Sequence, residues 1–217
     1  MSINMFVSTY HDANRRRMAE LKLCLDKNRK NKNFNLIVRE SNTRLTFNDF
    51  FEDIRNHGDD KGVNIMCNSD IYFDDTILLT EKILENQVYA LNRWDWHPYN
   101  EPIHYNMLGS SDVWVFRGIP KNINGAFFLG NWGCDGRLGY EIIKAGYELY
   151  NPSLSIKTVH LHHVNVHNYD LFNDQVSGPY MGAPACYLDD LKPAITFTAN
   201  PGENPIIGDC DVTDCKT

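Results

Sequence analysis

The chain has 217 residues, which predicts one large domain or one domain with a tail. A chain of this length buries about 70% of its unfolded surface and needs no disulfide or metal simply to fold. With 21 Lys and Arg against 28 Asp and Glu the formal net charge is −7. That argues against a protein built mainly to hold nucleic acid, because phosphate binding wants a basic face. No apolar run exceeds four residues, so no transmembrane helix is expected. Residues 1–17 show no apolar core ahead of a cleavage site, so no signal peptide is expected and the protein is placed in a cytosol. Cys24, Cys67, Cys134, Cys186, Cys210 and Cys215 show neither a C-x-x-C pair nor zinc spacing. Reduced thiols follow, with Cys24 and Cys67 in the core.

Strand and helix signals alternate up to about residue 150. Residues 4–10 read as a short apolar strand. Asp12 is placed to cap a helix whose Met18, Leu21 and Leu25 share one stripe and which ends near Asn31. A second strand is expected over 34–38. Thr46 and Asp49 have the spacing of a capping box; Phe47, Phe50, Phe51 and Ile54 follow at helical spacing, and Gly58 stops the helix. Residues 63–67 form a nearly all-apolar third strand, as in a parallel sheet covered on both faces. A helix over about 76–86 follows, then strands near 88–92 and 113–116. Asp135 precedes a helix with Leu138, Ile142 and Ala145 on one stripe, closed by Gly146. Residues 155–163 alternate like a strand. The pattern predicts an α/β sandwich with a mostly parallel central sheet flanked by helices. The domain is expected over 1–199, with 200–217 as a loose tail or a linker toward further domains.

Ligands of open α/β sheets bind outside the carboxyl ends of the strands. No G-x-x-x-x-G-K-[ST] is present, so a P-loop is excluded. The glycines at 130, 133, 136 and 139 lack Rossmann spacing. Three local signals remain. The third strand ends in Asn68-Ser69-Asp70, whose oxygen-bearing side chains suit Mg²⁺ or Mn²⁺ shared with phosphate oxygens. The bland alternative is a turn at Asp70, with Asp74 capping the next helix. In Val159-His160-Leu161-His162-His163, His160 and His162 share one face of a strand and make a metal or diphosphate site. In Gly130-Asn-Trp-Gly-Cys-Asp135, Asp135 is either a helix cap or a general base. Trp94, Trp96 and Trp132 are placed to stack on sugars or simply to pack.

In this order the segments resemble the GT-A class of nucleotide-sugar-dependent glycosyltransferases over roughly residues 3–170. Val7-Ser-Thr-Tyr-His11 looks like the first strand and nucleotide loop, and Val38-Arg-Glu-Ser41 like the end of the second strand. Arg55-Asn-His-Gly58 is similar to the A-R-N-x-G turn, and Asn68-Ser-Asp70 stands in the place of D-x-D. Gly109-Ser-Ser-Asp112 falls where a loop faces the donor sugar. Gly133-Cys-Asp135 resembles the x-E-D motif, and the histidine cluster falls where a histidine completes the metal site. The chain also resembles the N-terminal domains of multidomain glycosyltransferases of chlorella viruses. The first D-x-D acid is replaced by Asn68, which removes a charge at the metal. The third motif carries the shorter Asp135.

The resemblance implies transfer of a hexose from a UDP-sugar to a glycan hydroxyl, metal-dependent and inverting. Ser8, Thr9, Tyr10, Glu40, Arg55, Asn68, Ser69 and Asp70 would hold the nucleotide. Asp70, His160 and His162 would hold Mn²⁺ or Mg²⁺. Arg93, Asp112 and Trp132 would contact donor or acceptor sugar, and Asp135 would serve as base. Were Asp135 only a cap, a retaining route would stay open. A metal-dependent hydrolase or nucleotidyltransferase, and a non-catalytic sugar- or nucleotide-binding domain, are the alternatives.

Overall fold

The computed structural model describes residues 1–164, 170, 173–199 and 206–207. The chain order is β1 (Ile3–Thr9), α1 (Arg15–Lys30), β2 (Asn35–Glu40), α2 (Phe47–His57), β3 (Val63–Cys67), β4 (Ile71–Phe73) and a 3-10 helix (Asp75–Lys82). There follow β5 (Gln87–Leu91), β6 (Trp94–Asp95), β7 (Ile103–His104), β8 (Val113–Arg117), α3 (Cys134–Lys144), β9 (Glu148–Tyr150) and β10 (Thr158–His160). The chain continues with β11 (Tyr180–Gly182), β12 (Ile195–Thr198) and β13 (Ile206–Ile207).

The central sheet has six strands in the order β2-β1-β3-β8-β5-β9. All run the same way except β8, which is antiparallel to both β3 and β5. The period-2 alternation of strand side chains divides the core in two. Phe6, Met66, Trp114 and Phe116 face α2 and α3. Met5, Val7, Ile65, Cys67, Val113 and Val115 face the other side with Ile71 and Ile77. Coverage on both faces is why β3, β5 and most of β8 are entirely buried.

Helix starts follow local chemistry. Asn14, not the expected Asp12, caps α1: its side-chain oxygen accepts from the backbone N–H of Arg16 at 2.9 Å and of Arg17 at 3.3 Å. Asp12 acts one step earlier, accepting from the Asn14 N–H at 2.7 Å. The Thr46/Asp49 capping box is present in full, and Gly58 is the C-cap of α2. Asp74 caps the next helix, which corrects the expected 76–86 α-helix to a shorter 3-10 helix. Ile77, Thr80 and Ile83 are buried at strict three-residue spacing, the 3-10 period, and the Thr80 hydroxyl donates to the Ile77 carbonyl.

The expected strand over 155–163 shrinks to β10, which lies outside the central sheet. It pairs antiparallel with β4 and parallel with β6, bringing His160 opposite Ile71 and Asp95. A third sheet, β11-β12-β13, packs β11 against α3. The expected tail over 200–217 lies outside the described residues except for β13, which pairs with β12. Cys210 and Cys215 lie outside them too. Cys24, Cys67, Cys134 and Cys186 are free and buried.

Candidate active site

The carboxyl ends of β1 and β3 and the amino end of the antiparallel β8 open into one cavity of about 1080 Å³. That is large enough for a nucleotide-sized ligand together with a second small molecule. The loop 8–11 after β1 and the loop 68–70 after β3 form its floor, 107–110 and 112 one side, and 128–136 another. His160 and His162 enter from the small sheet. Gly136 lets α3 begin against the third sheet, because a Cβ there would meet the rings of Phe197 and Tyr180.

The floor carries a continuous run of charges. Asp70 Oδ2 accepts from Arg17 Nη2 at 2.6 Å and lies 3.2 Å from His160 Nε2 and 3.6 Å from His162 Nδ1. Arg17 also reaches Glu20 at 3.3 Å, and His160 Nδ1 lies 2.9 Å from Asp95. Arg93 joins Asp95 at 2.9 Å to Asp112 at 3.3 Å and lies over the Tyr105 ring. Burial opposes ionisation of Asp70, but the His160 hydrogen bond and the charges of His160 and Arg17 hold it well below the usual carboxylate range. Burial also opposes protonation of His160. The hydrogen bonds to Asp70 and Asp95 outweigh it and push His160 up to about 9. His162 is lowered, by burial first and then by Arg17.

Asp70, His160 and His162 offer one carboxylate and two imidazole donor atoms, all within 4.8 Å of one another. An ionised carboxylate with imidazoles and no thiolate fits a divalent cation such as Mn²⁺.

Across the floor, Asp135 sits in the first turn of α3. It does not cap the helix: the N-cap is Gly133, in the left-handed conformation at φ 81°. The Asp135 side chain accepts instead from the Ser111 N–H at 3.3 Å and from the Cys134 thiol at 3.5 Å. Burial, then the negative charge of Asp112, raise its pKa to about 7. A carboxylate poised there takes a proton from a hydroxyl near neutral pH. Asn68 Nδ2 donates to Asp112 Oδ1 at 2.7 Å, and Ser8 Oγ lies 3.5 Å from Ser69 Oγ.

Of the residues singled out from sequence, Ser8, Thr9, Tyr10, Asn68, Ser69, Asp70, Arg93, Asp112, Trp132, Asp135, His160 and His162 all line this cavity. Glu40, exposed at the end of β2, and Arg55, exposed on α2, do not. Trp132 packs edge-on to Tyr180, with ring centroids 6.0 Å apart. Sequence reasoning passed over Arg17, Asp95 and Tyr105. Arg17 stands in an R-R-R run that reads as solvated, and only the packing of α1 against β4 buries it.

Two solved structures of Drosophila β1,4-galactosyltransferase 7 match over the whole chain. One is the catalytic domain in complex with xylobiose: 15% identical, TM-score 0.51, covering 100% of both chains. The other is a mutant with manganese, UDP-Gal and xylobiose: 16% identical, TM-score 0.51, covering 100% of this chain and 99% of that one. This chain has the GT-A fold. A glycosyltransferase involved in glycosylating the major capsid of PBCV-1 overlaps 54% of this chain and 60% of that one, at 9% identity and TM-score 0.36. No protein-family model and no curated protein sequence matches. The cavity described above lies at the carboxyl ends of the strands of this fold, and the histidine pair, Asp70 and Asp135 all line it. No helix among the described residues is long and apolar enough to cross a membrane.

Proposed function

We propose that this protein is a metal-dependent glycosyltransferase that moves a hexose from a UDP-sugar to a hydroxyl of a glycan acceptor, with inversion. One observation carries the reading: a cation-competent Asp70/His160/His162 trio and a carboxylate with a pKa of about 7 line the same cavity. The GT-A fold supports it, as do the manganese, UDP-Gal and xylobiose held by the Drosophila enzyme.

Asp70, His160 and His162 would hold Mn²⁺ or Mg²⁺, which when bound neutralises charge on the departing diphosphate as a Lewis acid. Ser8, Thr9, Tyr10 and Ser69 hold the nucleotide at the ends of β1 and β3. Glu40 and Arg55 fall outside this set because neither side chain lines the cavity. Arg93 fixes Asp112 on the sugar side, and Trp132 offers a ring face to a pyranose. Asp135 accepts the acceptor hydroxyl's proton as that oxygen attacks the anomeric carbon from the face opposite the diphosphate. Such a base contributes about 10²–10⁴ in rate. The setting is cytoplasmic.

Calorimetric titration with UDP, GDP, ADP and CMP, each with and without Mn²⁺, tests the reading. Metal-dependent binding of UDP, followed by transfer from a UDP-hexose to a glycan, is the expected result. Binding of none of the four overturns it. Donor cleavage that no acceptor accelerates points instead to a hydrolase using the same trio.

A further inference from the structure

Asn68 stands where the first acid of a D-x-D motif is expected, yet its side-chain amide is engaged by Asp112. Its backbone N–H donates to the Asp112 carbonyl at 3.0 Å, and its side-chain Nδ2 donates to Asp112 Oδ1 at 2.7 Å. The two residues extend the antiparallel β3/β8 ladder by one step beyond the Cys67/Val113 pair. They face each other across the sheet end, where like charges directly opposite are destabilising. The amide nitrogen of Asn68 is thus committed to Asp112. Arg93 holds the other Asp112 oxygen at 3.3 Å, so the carboxylate is gripped from two sides.

We propose that Asn68 is a positioning residue that fixes the Asp112 carboxylate on the sugar side of the cavity and is not a metal ligand. The amide suits position 68 because the Asp112 carboxylate, held on its other oxygen by Arg93, accepts its hydrogen. An aspartate in its place has no hydrogen to give and adds a second negative charge against Asp112. Fixing Asp112 also keeps its charge near Asp135, which that charge pushes up. This assignment rests on the transferase reading for what Asp112 then does, but not for the Asn68–Asp112 link itself.

The test uses the full chain with Asn68→Asp, Asn68→Ala, Asp112→Ala and the Asn68→Ala/Asp112→Ala double variant. With Mn²⁺ alone as probe, Asn68→Asp is expected to bind within about threefold of wild type. A tenfold gain would mark position 68 as a cation ligand and overturn the proposal. In turnover of UDP-galactose and UDP-glucose, Asn68→Ala is expected to fall tenfold or more, and the double variant to be no worse than Asp112→Ala. Independent, multiplying losses overturn it. The same cycle read by thermal unfolding is expected to be non-additive, since contacting residues couple. If wild type binds no UDP and turns over neither sugar, the transferase reading fails, while the Mn²⁺ titration and the thermal cycle still decide the role of Asn68.

Discussion

If Asp135 is the base proposed above, catalytic use and folding stability conflict at this residue. Its carboxyl titrates near 7 rather than 3.8, because burial and then Asp112 disfavour the ion. Between those two pH values the folded chain keeps a proton that the unfolded chain has released. Its contribution to stability is therefore greatest at low pH and falls as pH rises toward about 7. Asp135→Asn removes that cost. At pH 8 it is expected to stabilise the fold by about 1–3 kcal/mol and raise Tm by several degrees, with little change at pH 4. The same variant is expected to lose roughly a hundredfold in transfer while keeping UDP binding. Wild-type transfer is expected to rise with pH through about 7 and then level off, and the variant to lose that limb. Unchanged transfer in Asp135→Asn removes it as the base.

Among the elements, α3 decides how the cavity wall is built. Gly139 lies in its interior, where Ala is ordinarily better by roughly 0.5–1 kcal/mol. A Cβ at 139, however, meets the backbone carbonyl of Met181 in β11, and a backbone atom in a packed sheet does not yield like a side-chain end. Gly139→Ala is therefore expected to destabilise by about 1–3 kcal/mol and lower Tm, measured by calorimetric unfolding. A rise in Tm would mean that β11 is free to move away from α3. The same closeness lets the third sheet place Phe197 in the cavity wall.

Across the molecule, Glu20, Arg17, Asp70, His160, Asp95, Arg93 and Asp112 form one chain of ion pairs and hydrogen bonds. It ties α1, the ends of β3 and β8, and the small sheet to a single floor. Removing one partner of a buried pair such as Arg17–Asp70 costs about 3–5 kcal/mol. Ligands that bind the folded floor stabilise it by mass action, about 2.7 kcal/mol at a hundredfold excess over Kd. For a chain of this size that is roughly 5–10 °C in Tm. UDP with Mn²⁺ together is expected to give a shift larger than the sum of each alone, read by thermal unfolding. A strictly additive pair of shifts argues that nucleotide and cation occupy unlinked sites.

Local chemistry and periodicity determined much of this protein. The Thr46/Asp49 box, the phenylalanine stripe of α2, the nearly all-apolar β3 and β5 and the caps at Asp74 and Gly58 are short-range effects, legible from spacing alone. Asp70, His160 and His162 are singled out by the strand ends they occupy, and the fold brings their donor atoms together. Tertiary structure decided the rest. That Asp135 does not cap the helix followed from the left-handed Gly133 taking the cap position, which leaves the Asp135 carboxylate to accept from the Ser111 N–H. That Arg17 is buried against Asp70 followed from docking α1 on β4, and that Arg55 points to solvent followed from which face of α2 meets the sheet. Asn68 reads in sequence as a weakened metal ligand; only its cross-strand register with Asp112 gives its amide a partner. For Arg17, Arg55 and Asn68 the reason is shared: contacts between residues tens of positions apart carry no local signature, and burial and charge pairing select among conformations that the sequence leaves equal.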